Sequence, residues 1–208
     1  MISLSVQDGV AVLEVDNPPV NTITAEVRAA LARALDALPA CTALVLACKG
    51  STFFSGADIG EFAGPPKEEE YRLLFNRLES LPFPVVAAMH GTVMGGGFEI
   101  GLACHYRIAA PGTRFALPEL TLGIIPGAGG TQRLPRLIGI EQTLELVLSS
   151  RPIDAARALE LGAIDQVAEG DLRSAAIAYA RTRPGVRRTG ERSVAALAEA
   201  RVDEIKAK

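Results

Sequence analysis

Tryptophan is missing from this chain of 208 residues, histidine occurs only twice and cysteine three times. Each scarcity removes a class of chemistry. Cys41, Cys48 and Cys104 form no CxxC pair and no Cys/His metal spacing, so neither a disulfide framework nor a structural zinc is expected. Their apolar settings read as buried thiols in a reducing compartment. His90 and His105 belong to no HExxH, and no GxSxG accompanies them, so both are read as structural and no metal is expected. GxxxxGK[ST] and a GxGxxG after a strand are also absent, which removes the common nucleotide cradles. The net charge of −3 carries no basic excess, so nucleic acid is not expected as a partner. A local site for a small anion stays open. No apolar run approaches the roughly 20 residues that span a bilayer. The start, MISLSVQDGV, lacks a basic flank followed by an apolar run, so the cytoplasm is the expected location.

Apolar residues make up 49% of the sequence, enough for one domain with a sizeable core. Residues 2–15 alternate around Asp8-Gly9, the signature of a β-hairpin. Thr24 is placed to cap a helix over 25–38. Buried strands are expected at 43–47 and 84–89, and a charged helix at 67–80 after the break at 65–66. Gly91 to Gly97 leads into a helix over 97–105, followed by a strand at 106–110. Residues 117–139 read as a long loop with a helix start near Gly130-Thr131. Helices at 141–149 and 154–161, a strand at 163–167 and helices at 171–182 and 193–207 complete the reading. Strands alternating with helices define an α/β class with largely parallel strands.

Three segments carry chemistry. In FFSGADI (53–59), Gly56 permits a backbone shape that turns a following N–H outward, although an ordinary strand-to-helix loop fits the same residues. In GTVMGGGFEIG (91–101), three glycines stand where a helix begins and its first N–H groups lack internal partners. Such donors suit a developing oxyanion. Glu99 lies in that first turn, where it could instead merely offset the helix dipole. Glu119 sits in LPEL among Leu117, Pro118, Leu120 and Leu122. Apolar surroundings would raise its pKa and make it a proton donor near neutrality; the plainer alternative is a surface-loop glutamate. Taken together, two backbone donors and two carboxylates suit chemistry beside an activated carbonyl such as a thioester, with neither nucleophile nor metal.

On NPPVNTIT (17–24), FFSGADI, HGTVMGGGFEIGLACHYRIA (90–109) and LPELTLGIIPGAGGTQRLPRLIG (117–139), the chain resembles the enoyl-CoA hydratase/isomerase (crotonase) family over roughly residues 3–182. The resemblance implies a crotonase (ClpP-like) fold, a spiral of repeated ββα units. It implies a domain at 1–182 followed by a basic linker and C-terminal helix at 183–208. It makes the N–H groups of Ala57 and Gly96 an oxyanion hole and Glu99 and Glu119 the catalytic pair. Glu99 would activate the water that attacks the β-carbon of a trans-2-enoyl thioester, and Glu119 would supply the α-proton. Val20, Ser55, Asp58, Ile59 and Gly95 match the region that meets coenzyme A, which is part of the substrate and not a separate cofactor. Pro19 and Gly60 stand where some members carry a lysine. The start, the HYRIA segment and the linker look most like the hydratase half of multifunctional fatty-oxidation enzymes, in which a hydroxyacyl-CoA dehydrogenase half follows. Δ3,Δ2-enoyl-CoA isomerisation and a non-catalytic acyl-CoA-binding fragment are the alternatives. Neither acyl length nor oligomeric state is legible.

Overall fold

The computed structural model describes residues 1–65, 67–182 and 185–206, with the backbone alone at 62, 199, 200 and 206. Pro66 of the expected break, the first two linker residues (183 and 184) and the last two residues of the chain lie outside the described residues. Strands β1 (Ile2–Gln7) and β2 (Val10–Val15) form the expected hairpin. Asp8 and Gly9 take φ of 52° and 79° at its tip, the left-handed pair that matches strand twist in a two-residue turn. Helix α1 (Ala25–Asp36) starts where the Thr24 side chain accepts the Val27 N–H at 3.3 Å. Strand β3 (Ala43–Cys48), helix α2 (Glu68–Glu79), strand β4 (Val85–Met89) and the short β5 (Thr92–Met94) lead to α3 (Gly96–Ala103). Then come β6 (Tyr106–Ala109), β7 (Arg114–Ala116), α4 (Gly130–Ile138), α5 (Ile140–Ser149), β8 (Ile153–Asp154), α6 (Ala155–Leu161), β9 (Gln166–Val167), α7 (Leu172–Thr182) and α8 (Glu199–Lys206).

Six strands make the main sheet in the order β1-β2-β3-β4-β6-β9, parallel throughout except for the hairpin. Both faces are covered, as parallel sheets require. Along β2, Ala11, Leu13 and Val15 face a core shared with Leu31 of α1, Leu78 of α2 and Ile100 of α3. Val10 and Val12 face the other way, toward Ala176, Ile177 and Ala180 of α7. A second sheet, β5-β7-β8, stands beside the first. The architecture is the α/β fold with a mostly parallel sheet expected from the alternation of elements.

Several boundaries differ from the sequence expectation. The expected strand at 163–167 is reduced to Gln166–Val167, because the N–H groups of Ala163 and Ile164 close the end of α6 on Ala158 O at 2.8 and 3.3 Å. Strands β5, β7 and β8, of three, three and two residues, are too short to show a period. Helix α8 begins at Glu199 and not at 193; Ala198 N-terminal to it is exposed, and Val194 and Leu197 are only half-buried. Cys48 and Cys104 are buried thiols as expected, but Cys41 is partly exposed. Among the described residues no helix is long and apolar enough to cross a membrane.

Candidate active site

The loop after β3 and the segment from β4 to α3 run in contact, and the glycines explain how. A Cβ on Gly91 would stand 2.1 Å from Ser51 O, and one on Gly97 would stand 2.0 Å from Phe54 O. Both distances are impossible for a side chain, so these backbones touch only because the residues are glycine. The Thr92 N–H donates to Thr52 Oγ1 at 2.8 Å, and Phe53 N–H donates to His90 O at 2.9 Å. This seam carries Ala57 up to the start of α3. There a Cβ on Gly96 would lie 3.4 Å from the Ala57 nitrogen. Among the described residues neither Ala57 N–H nor Gly96 N–H has an acceptor. The bridge between Ile23 and Ala57, with Ile23 N–H on Gly56 O at 2.8 Å, fixes the loop from its other side.

A cavity of about 180 Å³ opens here, and Ala57, Gly96, Glu99 and Glu119 all line it. Glu99 is 3% exposed. Its Oε1 accepts the N–H groups of Ala128 at 2.9 Å and Gly130 at 2.7 Å. It therefore does more than offset a dipole: its carboxylate is held by the turn entering α4. A Cβ on Gly130 would come within 3.0 Å of that oxygen, which explains the glycine at this place in GAGGTQ. Burial pushes the Glu99 carboxyl above its usual range, and the Gly130 and Ala128 N–H groups oppose that rise.

Glu119 opens a short 3-10 turn (Glu119–Leu122) and is buried. Burial first, and then the Glu99 charge, push its carboxyl up to about 7. The direction agrees with the sequence argument, but the cause differs in part. Leu117 is buried, whereas Leu120 and Leu122 are 36% and 49% exposed. The carboxyl is desolvated by its inward orientation and not by an apolar ring of its own neighbours. Its Oε2 is buried with no partner among the described residues, while the residue's own backbone N–H opposes the rise. A Cβ on Gly95, where φ is +51°, would stand 2.9 Å from Glu119 Oε1.

None of the expected coenzyme-contact residues, Val20, Ser55, Asp58, Ile59 and Gly95, is among those lining the cavity, although Asp58 and Gly95 adjoin the lining residues Ala57 and Gly96 in the chain. Ser55 N–H donates to Val20 O at 3.2 Å, joining their two loops into one wall. Asp58 caps a 3-10 turn (Ile59–Ala63) by accepting Gly60 N–H at 2.9 Å. Ile59 is 63% exposed. Gly95 precedes α3 as its cap residue. His105 is structural: its Nδ1 accepts Val85 N–H at 2.9 Å and its Nε2 lies 2.9 Å from Glu79 O. His90 Nε2 lies 3.1 Å from Gly50 O. No group of three or more candidate metal ligands occurs among the described residues.

Sequence reasoning passed over a latch at the cavity mouth. Arg28, 5% exposed, donates to Glu61 at 2.8 Å, Glu70 at 2.8 Å and the Tyr71 hydroxyl at 2.9 Å. Tyr71 in turn donates to Ile23 O at 2.7 Å. An arginine on an otherwise apolar helix stripe, between Val27 and Leu31, was the available signal.

Fold and site together define an α/β protein in which two backbone amides without an acceptor among the described residues and two buried carboxyls line one cavity. The family described as enoyl-CoA hydratase/isomerase matches residues 5–203, and the chain belongs to that family. It is 46% identical over 178 residues to a peroxisomal bifunctional enzyme of Danio rerio, covering 84% of this chain and 25% of that protein. It is 43% identical over 173 residues to a probable enoyl-CoA hydratase of Bacillus subtilis, covering 78% of this chain and 67% of that protein. The enoyl-CoA hydratase structure from Bacillus anthracis superposes with a TM-score of 0.80 at 34% identity, over 86% of this chain and 75% of that one. A putative enoyl-CoA hydratase from Thermobifida fusca, in complex with CoA, gives 0.78 at 30% identity, over 88% and 79% of the two chains. Relatives named enoyl-CoA hydratase place the chain with enzymes of the hydro-lyase type. It is similar to the hydratase part of multifunctional enzymes and spans about a quarter of the length of the Danio rerio relative.

Proposed function

We propose that the chain hydrates a trans-2-enoyl-CoA to the 3-hydroxyacyl-CoA. The observation that carries this reading is the convergence of two acceptor-free amides and two buried carboxyls on one cavity. The thioester oxygen sits between Ala57 N–H and Gly96 N–H, where negative charge grows as the enolate forms; one such donor is typically worth about 3 kcal/mol of barrier. Glu99, ionised, takes a proton from water as the water oxygen bonds to the β-carbon. Glu119, protonated, gives its proton to the α-carbon as the enolate collapses. The product has gained one water, and the two carboxyls have exchanged roles. Coenzyme A enters as part of the substrate, with Val20, Ser55, Asp58, Ile59 and Gly95 beside it, and the reading needs no further cofactor or metal. The relatives named bifunctional and multifunctional support a fused hydroxyacyl-CoA dehydrogenase part in the full protein. A cytoplasmic location belongs to the proposal too, alongside relatives named for peroxisomes and glyoxysomes.

Δ3,Δ2-isomerisation is the second reading, favoured by one observation: Glu119, with a pKa pushed up to about 7 and an unpartnered oxygen, suits a proton shuttle between C2 and C4. Two substrates separate the readings. A 2-enoyl-CoA should lose its conjugated absorbance on hydration, and a 3-enoyl-CoA should first gain that absorbance if isomerisation occurs. Binding of either thioester with no absorbance change would contradict both and leave an acyl-CoA-binding fragment.

A further inference from the structure

Glu99 depends on a turn, and the turn depends on a buried ion pair away from the cavity. Arg133, in the first turns of α4, is 5% exposed. Its Nη1 donates to Ala128 O at 3.3 Å, the far side of the peptide whose neighbour holds Glu99. A Cβ on Gly129 would meet Nη1 at 2.2 Å, so the guanidinium lies directly under the 128–130 turn. The other side of the fork is fixed by Glu79 of α2: Glu79 Oε2 accepts Nε at 3.1 Å and Nη2 at 2.8 Å, and Asn76 Oδ1 accepts Nη2 at 2.7 Å. Glu79 has a second engagement. Its Oε1 accepts Gly190 N–H at 2.7 Å, and its carbonyl accepts Arg188 Nε at 3.2 Å.

We propose that Arg133 is a positioning residue for Glu99, and that its counter-ion Glu79 makes the docked segment 187–190 part of the same support. The inference rests on Glu99 being the group that activates water. A planar five-donor fork fixes two directions at once, which a point charge does not. A small misplacement of a reacting group is enough to cost about 100-fold in rate. The charged and titratable groups facing Glu99 are Arg133 from α4 and Glu119 from its 3-10 turn, with Glu61, Lys67, Glu68 and Tyr71 around the cavity. Of these, Arg133 is the cation that favours ionised Glu99 from beneath. Through Glu79, whatever the chain after residue 190 is attached to can reach the same carboxylate.

The test uses the full chain with Arg133→Gln, Arg133→Lys and Gly190→Pro, the last removing the N–H donor to Glu79 and setting a ring against its carboxylate. Two readouts are taken: hydration of a 2-enoyl-CoA across pH, and the titration of Glu99 followed by carboxyl-13C NMR without substrate. Arg133→Gln should lower kcat roughly 100-fold with KM within about threefold, and move the Glu99 midpoint upward. The acid limb of kcat should follow it to higher pH, since the ionised form is the active one. Arg133→Lys should return the midpoint toward wild type while leaving much of the kcat loss; it also serves if Arg133→Gln does not fold. Gly190→Pro should lower kcat several-fold and move the midpoint the same way. Arg133 variants with wild-type kcat and an unmoved midpoint would overturn the proposal. An effect confined to melting temperature would do the same, and an inert Gly190→Pro would overturn its second half. The NMR arm needs no turnover, so a chain that fails to hydrate would refute the functional reading without touching this result.

Discussion

At the scale of single residues, the two glutamates sit in different environments. Glu99 is held by two backbone N–H groups, which favour its ionised form against burial. Glu119 has only its own backbone N–H to oppose burial, and is pushed up to about 7. In the proposed mechanism Glu99 serves as base and Glu119 as acid, the division of roles that two carboxyls in different surroundings can supply. The proton-donating form of Glu119 is lost as pH rises through 7, so kcat/KM for hydration should fall above about pH 7, measured as initial rates on a 2-enoyl-CoA. The same shift has a consequence for stability. A carboxyl whose folded pKa is raised contributes nothing adverse below its unfolded value, near 4.5, and costs stability as pH rises through 7. Glu119→Gln should therefore be more stable than wild type at pH 8, by about 2 kcal/mol, and equal to it at pH 4. Urea unfolding at the two pH values checks this. Equal stability at both would mean that the carboxyl is not desolvated.

At the scale of elements, the site is a seam between two loops and two helix starts. The close approach of Phe54 O to Gly97 is what brings Ala57 to Gly96. Gly97→Ala should cost more than about 3 kcal/mol, because the clash is with backbone and neither chain can rotate away. Thr24→Ala should cost only about 1 kcal/mol, the usual value of an N-cap, and leave activity nearly unchanged. Thermal melts with parallel hydration assays distinguish the two. Much of this level was legible in the sequence. Asp8-Gly9 announced the hairpin, and the ALVLA and PVVAAM runs announced buried strands. Gly95 to Gly97 announced a helix start with free N–H groups, and there the structure also brings two backbones into contact. What was not legible has physical reasons. Strands of two or three residues carry no period. The partner of Glu99 lies 29 and 31 residues away in a turn whose glycines read locally as a helix start. The buried fork of Arg133 within TQRLPR could not be picked out from the sequence, since its counter-ion comes from α2, 54 residues earlier.

At the scale of the whole molecule, the last part of the chain returns to the sheet. The Arg187 guanidinium stacks over the Tyr106 ring at 4.4 Å, donates to His105 O at 3.1 and 3.2 Å, and pairs with Asp165. Farther on, Arg201 of α8 pairs with Glu141 of α5. Helix α8 touches α5 through this ion pair and is shorter than the helix expected over 193–207. An exposed pair of this kind is worth little, about 0–1 kcal/mol, whereas the Arg187 cluster is half-buried and stacked. Arg187→Ala should therefore speed trypsin cleavage at Arg188 and Arg192 at least tenfold, with far-UV circular dichroism unchanged. Arg201→Ala should do so only weakly. The central claim concerns the two glutamates, and the most direct measurement is the hydration rate of a 2-enoyl-CoA by Glu99→Gln and Glu119→Gln, each checked for wild-type fold. Loss of acid–base catalysis predicts a fall of about 10²–10⁴-fold in kcat for each, with thioester binding retained. Near-wild-type turnover in either variant would contradict the account.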